Sequence, residues 1–396
     1  MPRRQTKDRT DVTVSGDSSE QARPRASQAD PEQLRGGFER WLRRRHAGAE
    51  VVEAAVPSSN GMSSETLVVA ADWDGQPHRM VVRIAPQPHA SPLFPRYDMG
   101  EQYLILQRLR AQPHPPAVPR VLWCEEDPEP LGAPFFVMDH VDGQIPPDVM
   151  PYNFASWLTE ASVASRERLQ HGTIEQLARV HAASPADFSF LDRCRAGETA
   201  LAAHVRHTRA YYEWARAGRS GAPLIDRTFD WLYEHWPADT APSGGHAAAT
   251  VLSWGDARLG NVIYRDFAPV ALLDWEMASL GPRELDIGWM IFFHRFFEDI
   301  AHSAGLPGLP DMLRSERVAD MYTEFTGHRP VNLDFYVVYA ALRQAIITIR
   351  VQLRASAFGQ VELPENPDEM IMHRAALEGM LDGSYFNHDT ASLTET

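Results

Sequence analysis

Lysine is all but absent from this chain of 396 residues: Lys7 is the only one. Every cationic task beyond the N-terminal segment therefore falls to arginine or histidine. Cysteine is nearly as scarce. Cys124 and Cys194 supply neither a disulfide framework nor a metal-ligand spacing, which fits a reducing cytosol. No apolar run has the length of a membrane span. The longest candidates, 291–297 and 335–353, are interrupted by His294, Arg295, Arg343 and Arg350. The N-terminus has no apolar signal core, and Asp8, Asp11, Asp17 and Glu20 argue against a transit peptide. A cytoplasmic protein without a membrane partner is expected. Positive charge is also short. The net charge is −15, and residues 1–45 hold eleven basic and seven acidic side chains, so the remainder carries about −19. That balance disfavours nucleic acid as a partner and leaves open a cationic substrate.

The first thirty residues are polar, with almost no large apolar side chains, and read as a disordered tail. From Asp30-Pro31 the pattern becomes helical. Leu34, Phe38, Trp41 and Leu42 share one face, with Asp30 as N-cap and Pro31 in the first turn. Strand-like runs follow at 66–71 and 80–85, separated by the turn residues Asp72-Trp73-Asp74-Gly75-Gln76-Pro77. Residues 99–109 read as a helix, and 120–124 and 134–138 as two more strands. After Asp142-Gly143 the periodicity is helical at 158–181, 200–217 and 224–236. It is helical again at 283–297, 312–325, 332–355 and 367–381. No internal repeat is present. Tyr322, Tyr336, Tyr339 and Arg343 either line a cleft or pack helices, and packing is the favoured reading.

Between the helical stretches lies Ser253-Trp254-Gly255-Asp256-Ala257-Arg258-Leu259-Gly260-Asn261, followed by Leu272-Leu273-Asp274-Trp275-Glu276. Asp256 and Asn261 are five apart, and Asp274 stands thirteen further on at the end of an apolar run. Phosphoryl transfer from a nucleotide needs such a set. One carboxylate orients the attacking hydroxyl, while an amide oxygen and a second carboxylate hold Mg²⁺ against the phosphates. Asp and Asn are also ordinary turn residues, so each alone is explained by a loop.

Together these segments resemble the catalytic loop and metal segment of the aminoglycoside phosphotransferase family, relatives of the protein kinases. They are most similar to the branch also found fused to acyl-CoA dehydrogenases. The resemblance implies an α+β, bilobal kinase-like fold. A small β-rich nucleotide-binding lobe is expected at 31–140, a larger and mostly helical catalytic lobe at 141–385, and a second tail at 386–396. It implies Asp256 as catalytic base, Asn261 and Asp274 as Mg²⁺ ligands, and Arg258 where the kinases place a lysine that touches the transferred phosphate. Arg83, in Val81-Val82-Arg83-Ile84, takes the place of the strand lysine that grips the α- and β-phosphates, and Glu101 becomes its helix partner. Arginine binds phosphate bidentately, as a substitute should. Glu276 is either a second metal ligand or a surface carboxylate.

Gly61 and Ser63 lie where a glycine-rich phosphate loop belongs, although Gly61 is the only glycine of Ser58-Ser59-Asn60-Gly61-Met62-Ser63-Ser64-Glu65. The segment 136–143 resembles the hinge, with the adenine edge expected near Asp139 and Val141. Trp254 replaces the histidine common two before the catalytic Asp and is expected to fill the same space. His181 and Asp286 read as structural. The implied activity is transfer of the γ-phosphate of ATP or GTP to a hydroxyl of a small molecule. By similarity to the dehydrogenase-fused branch, a metabolic alcohol or hydroxyacyl-CoA is expected rather than an aminoglycoside. The alternative is a nucleotide-binding pseudokinase or regulatory partner without turnover. A carboxylate glycosidase using Asp256 and Asp274 is a more distant reading.

Overall fold

A computed structural model of the chain describes residues 30–57, 64–86, 91–237 and 250–386. Of the tails expected at 1–30 and 386–396, all but residues 30 and 386 lie outside the described residues, as do Gly61 and Ser63.

The chain begins with helix α1, Pro31–Arg45, where the Asp30 carboxylate accepts from the Glu32 amide at 3.1 Å and Pro31 occupies the first turn. Five antiparallel strands follow. They are β1 (Glu50–Ala55), β2 (Glu65–Trp73), β3 (Gln76–Ile84), β4 (Val121–Glu125) and β5 (Phe135–Asp139), in the order β1-β2-β3-β5-β4. Helix α2, Met99–Arg110, lies between β3 and β4 in sequence and packs on β4 and β5. Because side chains alternate along a strand, the sheet sorts its residues into two faces. Leu67, Val69, Met80, Val82, Ile84, Phe135 and Val137 point to a core shared with α1, where Phe38 and Trp41 meet Phe135 edge-on. Thr66, Val81, Arg83 and Met138 line the opposite side, over the cleft.

Strand β1 was not expected. Only Val51 of its six residues is buried, and Glu50 and Glu53 break any apolar pattern. It is an edge strand held by backbone pairing to β2, and charged side chains are what an edge tolerates.

The rest of the chain is mostly helical: α3 (Val163–His181), α4 (Ala200–Ala215), α5 (Pro223–Glu234), α6 (Glu284–Ser303), α7 (Ser315–Thr326), α8 (Leu333–Ala357) and α9 (Arg374–Leu381). The helix expected from 158 begins only at Val163, where Ser162 caps it through the Ser165 amide. The stretch expected to be one helix over 367–381 splits into a short 3-10 turn, Pro367–Met370, and α9. Helices α6 and α8 cross closely at Gly288, where an added Cβ would lie 2.7 Å from the Tyr336 backbone. Four short strands sit against these helices. They pair as β6 (Val251–Ser253) with β9 (Ser279–Gly281), and β7 (Val262–Arg265) with β8 (Ala268–Leu272). The architecture is therefore α+β, bilobal and kinase-like, as expected. Among the described residues no helix is long and apolar enough to cross a membrane.

Two buried histidines make the large lobe sensitive to acid. His294 Nε2 donates to the Leu309 carbonyl at 3.1 Å, and Nδ1 accepts from the Tyr152 hydroxyl at 2.7 Å. His373 donates from Nε2 to the Ala341 carbonyl at 2.9 Å. Burial pushes both imidazole pKa values down to about 4. Unfolded histidine takes up its proton near pH 6.5, so between about 6.5 and 4 the unfolded chain binds more protons than the folded one. Stability attributable to these groups is full above that window and is lost as the pH falls through it, on the order of 3 kcal/mol for each. Thermal denaturation against pH should fall steeply between 6.5 and 4.5. His294→Gln should show a shallower slope there despite a lower midpoint at neutral pH. Parallel slopes would mean that His294 is not one of the titrating groups.

Candidate active site

The loop after β6 is shaped by one glycine and one buried carboxylate. Gly255 has φ +89°, and a Cβ there would sit 2.1 Å from the Met277 carbonyl oxygen, so only glycine fits. The Asp286 carboxylate, fully buried in the first turn of α6, accepts from the Trp254 amide at 2.7 Å, the Gly255 amide at 2.8 Å and the Ser253 hydroxyl at 3.0 Å. Its fourth donor is His181 Nε2 at the end of α3, at 2.9 Å, and the other ring nitrogen meets the Tyr322 hydroxyl of α7 at 2.7 Å. His181 and Asp286 are thus the structural braces expected of them. Trp254 fills the core and donates from Nε1 to the Leu273 carbonyl at 2.8 Å. That bond ties the loop carrying Asp256 to the segment carrying Asp274.

Asp256 is held by three donors. Arg258 Nε lies 3.0 and 3.1 Å from its two oxygens. Asn261 Nδ2 donates at 2.6 Å, and Trp289 Nε1 at 2.6 Å. Asn261 Nδ2 also donates to the Asp256 carbonyl at 3.0 Å. With both N–H donors of the amide spent on Asp256, its oxygen is the atom left to a cation. Arg258 is held from the far side by Asp148, which itself fits only because residue 260 is glycine. Burial works against the charge of Arg258, but Asp256 and Asp148 outweigh it and hold its pKa above the ordinary value.

Asp274 follows β8 with φ +60°, a left-handed conformation that costs a non-glycine residue about 1–3 kcal/mol and that clusters at functional sites. Burial pushes its carboxyl pKa up, Asp256 adds to this, and Arg83 pulls it back. Arg83 Nη2 stands 3.5 Å from Asp274, and Nη1 donates to Thr66 Oγ1 at 3.1 Å. Arg83 and Asp274 thus form an ion pair between the two lobes at the cleft. Arg83, Arg258, Asn261, Asp274 and Asp148 line a cavity of about 410 Å³ between the sheet and the large lobe. Asp139 and Val141 line it too. The Asp139 amide is already spent on the Arg120 carbonyl at 2.8 Å, and its carboxylate on the Arg120 guanidinium.

Two expectations are corrected. Glu101 does not pair with Arg83. It binds Arg193 at 2.6 Å and Arg96 at 3.3 Å, on the large-lobe side of α2. The residues of α2 on the cavity wall are Gln102 and Leu106, both buried. One helical step turns a side chain by about 100°, and Asp98, capping through the Glu101 amide at 2.7 Å, sets that phase. Glu276 does not stand with Asn261 and Asp274. The left-handed turn at Asp274 sends it into a second cavity, lined by Met277, His204 and Arg343. Arg343 was read as packing, yet it borders that cavity and donates to the Gly255 carbonyl at 3.0 Å. Asp148, Gln102 and the contact from Trp289 to Asp256 went unforeseen. Of these only Trp289 had a sequence signal, three residues after Asp286.

Comparison with known proteins identifies the family. The family model described as the phosphotransferase enzyme family matches residues 56–314. The chain belongs to this family. Among solved structures, this phosphotransferase is similar to a putative aminoglycoside phosphotransferase from Ralstonia eutropha. That likeness has 20% identity and a TM-score of 0.59, covering 89% of this chain and 98% of that one. An ADP-bound aminoglycoside phosphotransferase, APH(2'')-Ib, gives 12% identity and a TM-score of 0.52, over 89% and 99%. At these identities the likeness is one of fold. A curated relative, the probable acyl-CoA dehydrogenase IBR3 of Arabidopsis thaliana, is 23% identical over 307 residues, 74% of this chain and 35% of that protein. The chain spans about a third of its length.

Trp254 generates a test. Trp254→Phe keeps an aromatic ring and removes the donor to the half-buried Leu273 carbonyl, at a cost of about 1–3 kcal/mol. Denaturant unfolding should show that loss. The same variant should bind Mg-nucleotide more weakly, because Leu273 precedes Asp274. Unchanged nucleotide affinity would show that the bond serves stability alone.

Proposed function

We propose that the chain is a Mg²⁺- and nucleotide-dependent kinase that moves the γ-phosphate of ATP or GTP to a hydroxyl of a small molecule. The observation carrying this reading is the grouping of Asp256, Asn261, Asp274 and Arg83 around one interlobe cleft. The donor set fits a hard cation, since Mg²⁺ takes few protein oxygens and completes its shell with phosphates and water. Among the described residues no group of three or more His, Cys, Asp or Glu forms a self-sufficient metal cage, so phosphate oxygens have a place in such a site. When bound, Mg²⁺ would neutralise charge on the β- and γ-phosphates. Asn261 and Asp274 would hold it, and Arg83 would meet the phosphates from the sheet.

In the proposed step the acceptor oxygen bonds to the γ-phosphorus as the bond to the β–γ bridging oxygen breaks. The hydroxyl proton passes to Asp256, and the nucleoside diphosphate leaves. Asp256 orients the hydroxyl, and Asn261, Arg258 and Trp289 hold Asp256 still, which is how positioning contributes most of such catalysis. The adenine or guanine edge would meet the backbone near Val141. The acceptor we favour is a metabolic alcohol or hydroxyacyl-CoA over an aminoglycoside. Likeness to proteins named as acyl-CoA dehydrogenases supports that choice, including one of Mus musculus that is 26% identical over 283 residues, 66% of this chain and 24% of that protein.

Asp256→Asn should lower phosphate transfer to an acceptor by about 10²–10⁴-fold while Mg-nucleotide binding persists. Asp274→Ala should lose the thermal stabilisation given by Mg-ATP or Mg-GTP, about 2.7 kcal/mol at a hundredfold excess over Kd in the wild type. Full turnover in Asp256→Asn, or a metal-independent nucleotide shift in Asp274→Ala, would overturn the assignment.

A further inference from the structure

The second cavity adjoins the catalytic loop in the large lobe and has a volume of about 500 Å³. Its wall is largely apolar or aromatic, with Phe94, Leu191, Tyr211, Trp214, Met277 and Ile347 on it. Its ionisable groups are unbalanced. Arg96, Arg193, Arg343, His204 and His207 border it, against the single carboxylate of Glu276. Arg96 and Arg193 are neutralised at the rim by Asp98 and Glu101. His204 is held neutral by burial, with Nδ1 2.6 Å from the Tyr339 hydroxyl.

Arg343 is different. It is 6% exposed. Its partners are a carbonyl oxygen, that of Gly255, and the ring of Trp289, 4.3 Å from the guanidinium carbon. The carboxylates that act on it electrostatically, Asp286 and Asp256, are engaged by other donors: Asp256 by Arg258, and Asp286 by His181 and the loop amides. Among the described residues none forms an ion pair with Arg343. Arginine does not shed its proton in a protein, and the N–H groups of Arg343 not bonded to Gly255 have no carboxylate at ion-pair distance among the described residues. A ligand that brings an anion to this point supplies that partner.

We infer that this cavity receives an amphipathic acceptor bearing an anionic group, with Arg343 as the residue that pairs with the anion and the aromatic wall as the seat of its apolar body. The inference rests on the phosphotransferase reading, because Arg343 on the cavity wall bonds the carbonyl of Gly255, the residue before Asp256. Arg343 is then a specificity-determining residue, and it selects against polycations. An aminoglycoside would set ammonium groups against a fixed guanidinium and find one carboxylate, Glu276, on the wall.

The test uses the full chain loaded with Mg-AMP-PNP and titrated calorimetrically with octanoate, octanol, octylamine and kanamycin. Octanoate should bind at least tenfold more tightly than octanol or octylamine, and kanamycin should not bind. Arg343→Met should bring octanoate and octanol within twofold of each other, and Arg343→Lys should keep part of the preference. Because Arg343 also braces Gly255, a second variant guards against misfolding. Ala203→Phe fills the cavity from α4 and should abolish octanoate binding while Mg-AMP-PNP still stabilises the protein. Equal binding of octanol or octylamine, no binding of octanoate, or octanoate binding undiminished in either Arg343→Met or Ala203→Phe would overturn the proposal. Octanoate binding that depends on Arg343 in a protein that Mg-AMP-PNP does not stabilise would keep the anion site and sink the kinase reading instead.

Discussion

A single buried carboxylate organises the catalytic half of this protein. Asp286 accepts from the backbone at two consecutive residues, from a hydroxyl and from an imidazole, and no part of it reaches solvent. A charge in that setting is tolerable only when every lone pair is used, and removing one partner of a buried pair costs about 3–5 kcal/mol. Four elements converge on it. Strand β6 and its loop supply the amides, α6 supplies the carboxylate, α3 supplies His181, and α7 reaches it through Tyr322. The position of Asp256 is inherited from this arrangement, since the loop that Asp286 pins is the loop that carries it.

The same economy governs how the lobes meet. Arg83 on β3 and Asp274 after β8 form the ion pair across the cleft, while Glu101 on α2 reaches Arg193 in the large lobe. The segment before α2 is held from the large lobe as well, where Arg350 donates to the Pro92 carbonyl at 2.7 Å and the Tyr211 hydroxyl to the Leu93 carbonyl at 3.0 Å. The Arg83–Asp274 pair thus lies at the interlobe cleft, and of the other partners Arg193 and Tyr211 line the second cavity. Helix α2 carries Gln102 on the cleft wall and Glu101, paired with Arg193, one residue apart.

What the sequence made legible was chemistry whose spacing is set by short stretches of chain. The Asp256, Asn261 and Asp274 spacing could be read because a loop, a 3-10 turn and a two-strand hairpin separate these residues by fixed lengths. Strands β2 and β3 could be read because each alternates over nine residues. What stayed hidden depends on orientation. Glu101 and Gln102 differ by one helical step, which composition does not fix. The direction of Glu276 turns on the sign of one backbone angle at Asp274. Arg343 sits on α8, a helix of 25 residues buried on most sides, where periodicity no longer distinguishes a core face from a cavity wall. Strand β1 is defined by its neighbour and not by its own side chains.

The arginines of the cleft have one further consequence. No lysine occurs among the described residues, so the cations that line the cleft and its neighbour cavity carry no free amine. Guanidinium groups keep their charge to pH 12 and beyond, so the positive potential of the cleft is indifferent to alkaline conditions. Reagents that label kinases by attacking the strand lysine, and enzymes that silence it by acylation, find nothing in this pocket on which to act.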